Sequence, residues 1–388
     1  MNPSNKVALI ILTLAIVVVA LAAHFTNAAG AMNSRTHSVV DATNAFLQSL
    51  SVDQKQKVQF AFTAQKTATA ATFKRSGAPP PASADRKPPA SPNGFGPPGG
   101  FVGEKYGDAV WSNFPVSDVP RPGLQLGSLS NTQRNAAMHL LEILLSAKGY
   151  EKVLDIMGSD QALADAGTNF ASGTAVYTIA VFGTPSATAP FMLEFGGHHL
   201  ALNIVIAGAR GASTPTLTGA QPSVYTANGK TVRVLAGEND KAFALIDALN
   251  ESQRKQAILN YRIDDLVVGP GHAGQTIQPE GIKASAMNEK QKAILLDVIS
   301  EWAGIVNDDY AAPRIAQIKS ALDETYFAWS GPIAHEPNKN GTAYYRIQGP
   351  NLIIEFSPQG VGGDPTNHVH TIYRDPANDY GVGFTFPQ

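Results

Sequence analysis

Phe191-Met192-Leu193-Glu194-Phe195-Gly196-Gly197-His198-His199-Leu200-Ala201-Leu202 reads as two strands joined by a tight turn. A Gly-Gly pair between two apolar runs suits a two-residue hairpin loop, because glycine adopts the positive φ that such turns need. With Gly196 and Gly197 as the loop, Phe195 pairs with His198, Glu194 with His199 and Leu193 with Leu200. Side chains alternate between the faces of a strand, so Phe191, Leu193, Leu200 and Leu202 fill one face while Glu194 and His199 meet on the other.

Working outward, the same series recurs downstream. Gly173-Thr174-Ala175-Val176-Tyr177-Thr178-Ile179 parallels Gly341-Thr342-Ala343-Tyr344-Tyr345-Arg346-Ile347, and Leu193-Glu194-Phe195 parallels Ile354-Glu355-Phe356. Each leads into a histidine pair. Upstream of both, Ser51, Ser130, Asn250 and Asn288 each stand three positions before a glutamine. A Ser or Asn side chain there accepts from a first-turn N–H while the Gln reaches back to the cap, which is a capping box and starts a helix. Apolar residues follow at helical spacing, as in Ala137, Leu140, Leu141 and Leu144, or Ile294, Leu295, Val298 and Trp302. The expected fold class is α+β, an internal duplication of a helix-helix-antiparallel hairpin unit with two similar halves packed together. Residues 39–220 form the first unit and 221–388 the second, the latter opened by a hairpin about Asn228-Gly229. Residues 78–100, with eight prolines and four glycines, form an insertion of extended, exposed chain in the first unit.

The rest of the composition narrows the function. Among 388 residues there is no cysteine, which removes disulfides, thiolate metal sites and cysteine nucleophiles. A formal charge of -2 gives no field for nucleic acid, so none is expected as a partner; a small-molecule ligand is. Residues 1–29 carry one lysine, an apolar run from Val7 to Ala23 and then small residues. They read as a secretion signal, with an uncleaved anchor as the alternative and the only expected membrane contact. The expected location is exported, periplasmic or extracellular.

Chemistry concentrates at the histidines. In Asn367-His368-Val369-His370-Thr371 the two imidazoles project from one strand face, the spacing for two nitrogens to hold one ion. If register follows the first unit, Glu355 sits opposite His370. Packing of the two halves brings His199, His368 and His370 toward one cleft, with His198 as a further candidate ligand and Glu194 or Glu355 as ligand or general base. Such a set suits a divalent transition metal, zinc, copper, iron or manganese, in a metal-dependent hydrolase or oxidoreductase. The alternatives are a structural pairing of His with Glu and a non-catalytic envelope protein with a ligand-binding or structural role. Arg374, on the face of His370 and Ile372, is expected to hold an anionic substrate group or to pair with Glu355. Gly269-Pro270-Gly271-His272 has glycine spacing for a nucleotide loop but opens no helix and reads as a turn.

Phe195-Gly196-Gly197-His198-His199-Leu200, Thr325-Tyr326-Phe327-Ala328-Trp329-Ser330-Gly331-Pro332 and Asn367 through Pro376, with Asp379-Tyr380-Gly381, resemble a bacterial family catalogued as domain of unknown function 3500. The resemblance runs from about Val39 to Gly381. It implies an exported or envelope protein and brings no activity with it. His272 stands where the resemblance implies a non-histidine polar residue, which argues against a catalytic role for it.

Overall fold

The four capping boxes all form, each with both reciprocal hydrogen bonds, and each opens a helix. The computed structural model describes residues 34–74, 100–168, 170–275 and 277–385. The leader and most of the proline-rich stretch lie outside them. In chain order the helices are α1 (34–49), α2 (Val52–Val58), α3 (Asn131–Leu144), α4 (Ala147–Asp165), α5 (Ala236–Ala248), α6 (Glu251–Ala257), α7 (Glu289–Ala303), α8 (Asp308–Ser320) and α9 (Val382–Thr385). None among the described residues is long and apolar enough to cross a membrane.

The strands are β1 (Gln59–Phe60), β2 (Thr69–Phe73), β3 (Phe101–Tyr106), β4 (Ala109–Trp111), β5 (Leu124–Gln125), β6 (Thr178–Phe182), β7 (Phe191–Gly197), β8 (Leu200–Ala207) and β9 (Arg210–Ala212). They continue with β10 (Thr216–Ala220), β11 (Val224–Ala227), β12 (Lys230–Arg233), β13 (Ile282–Lys283), β14 (Tyr326–Ser330), β15 (Tyr344–Gly349), β16 (Leu352–Pro358) and β17 (Val369–Arg374). One mixed sheet runs β1-β6-β7-β8-β10-β17-β16-β15-β14-β13, with β5 on β6 and β9 on β8. The architecture is therefore α+β. The β11-β12 hairpin turns at Asn228 and Gly229, both at positive φ, as a tight hairpin requires.

Alternation along the strands assigns the two faces. Leu193, Phe195, Leu202, Trp329, Ile347, Ile354 and Tyr373 pack against the helices in one core. Met192, Ala201, Leu217, Ile353 and Ile372 point the other way, toward Tyr106, Trp111, Val268 and Tyr380. The small sheet β2-β3-β4 supplies that second cover. Glu194, Arg346, Glu355 and Arg374 share the second face and are buried under it.

The first hairpin departs from expectation. Gly197 pairs with Leu200 and Glu194 with Asn203, so His198 and His199 are the turn residues and the glycines belong to the strand. The reason is close approach. A Cβ on Gly196 would lie 2.3 Å from the Leu200 carbonyl oxygen, and one on Gly197 would meet the Tyr177 ring at 3.0 Å. His199 takes the left-handed conformation instead, φ 62°, a region histidine enters more readily than most residues. Glu355 likewise faces Ile372 and Arg346, while His370 faces Ser357 and Gly219. Neither expected Glu–His pairing exists.

Candidate metal centre

The site lies at one end of the central strand pair. His370 projects from β17, His368 immediately precedes that strand, and His199 comes from the β7-β8 turn two strands away. Gly219 of β10 stands opposite His370, and its missing side chain leaves room for His199, whose Cβ would be 3.3 Å from a methyl placed there. The turn is held from three sides. His199 donates its backbone N–H to the Asn113 carbonyl at 3.1 Å, the Tyr177 hydroxyl donates to the His198 carbonyl at 2.8 Å, and His198 Nδ1 lies 2.8 Å from Asp160 Oδ1 on α4. His198 thus faces Asp160, stacks on His199 with ring centres 3.7 Å apart, and stands outside the converging set.

The convergence itself is tight. His368 Nε2 is 3.1 Å from Nε2 of His199 and 3.1 Å from Nε2 of His370, and the three residues present ligand atoms all within 4.8 Å of one another. Three nitrogens bound tetrahedrally to one zinc-sized ion at 2.0–2.1 Å would stand about 3.3 Å apart. His368 Nδ1 lies 2.7 Å from the Val361 carbonyl oxygen and donates to it, which leaves the Nε2 lone pair aimed at its neighbours. A backbone carbonyl in this place is how proteins orient metal-binding imidazoles. Asp265 Oδ1 stands 4.0 Å from His370 Nδ1, and the Asn113 amide nitrogen is 3.3 Å from the same ring.

Burial, then the neighbouring imidazoles, hold the His199 ring well below its usual pKa; burial lowers His368 to about 3 and brings His370 down as well. All three are neutral at physiological pH, the state in which imidazole binds a metal. They line a cleft of about 640 Å³. The protein side therefore supplies three nitrogen donors and leaves an open approach, the pattern of catalytic more than structural zinc sites.

The carboxylate and arginine candidates lie elsewhere. The Glu194 carboxylate accepts from the Val110 N–H at 3.1 Å, and Glu355 accepts from the Val267 and Val268 N–H groups at 2.8 Å each and from the Tyr344 hydroxyl. Both carboxylates thus pin covering segments onto the sheet. Neither lines the histidine cleft. Arg374 pairs with Glu104 at 2.9 Å and Asp379 at 2.8 Å rather than with Glu355, and stacks over Trp111. Gly271 and His272 sit in a turn that opens no helix among the described residues, the Gly271 N–H donating to Glu104; His272, Gly269 and Pro270 line the histidine cleft, but His272 stands outside the converging set. Asn113, Asp160, Gly219 and Asp265 belong to the neighbourhood and carry no local motif; a glycine inside the Thr216–Ala220 strand was the one available signal.

Two expected results follow from these contacts. Gly219→Ala pushes on both the Val369 carbonyl, 2.7 Å from the added methyl, and on His199, so metal affinity falls about tenfold in a chelator competition while the chain still folds. Glu194 has its pKa raised to about 8, chiefly by burial, against the Val110 N–H and Arg121, which lower it. Its folded pKa is above the unfolded value, so its contribution is fully present below about pH 4.5 and is lost as pH rises through 8. Glu194→Gln removes that slope: denaturation curves show the variant gaining on the parent between pH 5 and 9, with metal stoichiometry unchanged.

The chain belongs to the family described as protein of unknown function (DUF3500), whose model matches residues 104–382. No curated protein and no solved structure matches it.

Proposed function

We propose that the protein is an exported metal-dependent enzyme in which His199, His368 and His370 hold one divalent transition ion that activates water for hydrolysis. The observation that carries this reading is the convergence of three neutral, buried imidazoles at the wall of an open cleft. A bound ion of this kind lowers the pKa of water to about 7 and polarises a substrate oxygen. The residues contribute position: the Val361 carbonyl orients His368, and Asp160 and Tyr177 fix the turn that carries His199. Imidazole-only ligation favours copper and zinc over manganese and iron. Equilibrium dialysis of the full chain should show one copper or zinc retained per chain and manganese weaker by a hundredfold or more. Equal retention of manganese would contradict the ligand set.

The duplication belongs to the same reading. In its support, β5 and β1 flank β6 as β13 and the Ile258 bridge flank β14. Gln54 and Gln133 exchange side-chain hydrogen bonds, and so do Gln253 and Gln291. Ser146 donates to the Ile305 carbonyl while Asn307 donates to that of Leu144. This match puts β6 on β14 and β7 on β15, one strand away from the expected likeness of Leu193-Glu194-Phe195 to Ile354-Glu355-Phe356, so Glu194 falls against Arg346 rather than Glu355 and the His198-His199 turn against Pro350-Asn351. The triad then has no twin, so one ion per chain is expected.

A further inference from the structure

We propose that the cleft in front of the triad receives an uncharged organic molecule with an aromatic or other apolar portion, its carbonyl oxygen turned toward the three histidine nitrogens. This rests on the metal reading above and adds the substrate class. Size is the first observation: about 640 Å³ lies within the range of sites for small organic ligands. The walls are the second. Phe114 and Phe170 supply ring surface, while Asn113, Gln221 and Gln359 supply amides that hydrogen-bond neutral groups.

Charge is the third observation and decides the class. Asp265 brings a carboxylate to the lining, Asp118 brings a second that is balanced by the Arg121 guanidinium, and among the described residues that line the cleft there is no lysine or arginine. The Asp265 carboxylate offsets part of the charge of a +2 ion, and no side-chain cation in the described lining adds to the remainder to hold a phosphate or sulfate group. Arg121 is not among the lining residues: it donates to the carbonyls of Ser112 and Phe114 and balances Asp118 from behind. Sites built for phosphoryl groups clamp them with Arg or Lys forks, and this cleft offers amides and aromatic rings in their place.

The test loads the full chain with cobalt, whose visible bands report the coordination sphere, and compares 4-nitrophenyl acetate with 4-nitrophenyl phosphate. Hydrolysis of the acetate adds water across the acyl C–O bond, hydroxyl to the acyl carbon and proton to the departing nitrophenolate oxygen. The expected result is a kcat/KM at least tenfold higher for the acetate, after subtraction of the rate given by the His368→Ala/His370→Ala chain. Gln221→Lys, which puts a cation on the wall, should raise the phosphate's relative standing at least tenfold. Equal or better use of the phosphate by the parent overturns the proposal. So does a cobalt-loaded chain whose bands and rates respond to neither probe, and in that case the metal reading stands. Failure to load cobalt at all removes the metal reading and this proposal with it.

Discussion

His368→Ala combined with His370→Ala should lower copper or zinc affinity by at least about a hundredfold, since loss of groups that merely orient a ligand costs 10–100-fold. Both side chains contribute an Nε2 to the same point, and His199 alone cannot retain the ion. The fold should survive, because two buried imidazoles are replaced by smaller apolar groups and no ion pair to a buried carboxylate is broken. Circular dichroism of the metal-free variant separates loss of binding from loss of structure. A variant that folds and binds as tightly as the parent would mean that the nitrogens meet for packing reasons alone. Asp160→Ala is a milder test of the same geometry. It frees His198 and loosens the turn, and a loss of about tenfold in affinity is expected in a chelator competition.

Arg374→Ala should have the largest effect on stability. The guanidinium is buried between Glu104 and Asp379 and lies 5.0 Å over the Trp111 ring. Glu104 is itself fully covered and also receives the Tyr380 hydroxyl and the Gly271 N–H. Removing the cation leaves two carboxylates without their partner, and breaking a buried pair from one side costs about 3–5 kcal/mol. Urea denaturation should show that loss. Glu104→Gln in the same background should return about 1–3 kcal/mol of it, the coupling expected of groups in one network. A loss under about 1 kcal/mol, in the range of exposed ion pairs, would show that Arg374 is not the tie between the small sheet and the large one.

Much of this arrangement was legible in the residues. The capping boxes are local chemistry, contained in four consecutive residues, so each helix start could be read directly. Face alternation is equally local, and it put His370, Ile372 and Arg374 on one side of β17 and Glu194 on the same side of the sheet. His368 and His370 announced themselves by spacing. The turn did not, because glycines needed for close approach look the same in sequence as glycines needed for positive φ. Misplacing it by two residues kept the faces right and changed every cross-strand partner, since side-chain direction repeats every two residues. The partners of the buried charges come from distant segments: Val110 for Glu194, Val267 and Val268 for Glu355, Glu104 for Arg374. No local pattern carries that information.

The most direct measurement is X-ray absorption at the metal edge of the full chain loaded with one equivalent of zinc or copper. The expected result is one ion per chain with three imidazole nitrogens at about 2.0–2.1 Å and a remaining light-atom ligand. His199→Ala should reduce the imidazole count to two or abolish binding. An unbound ion, or a spectrum with no imidazole scattering, would contradict the claim that these three histidines form a metal centre.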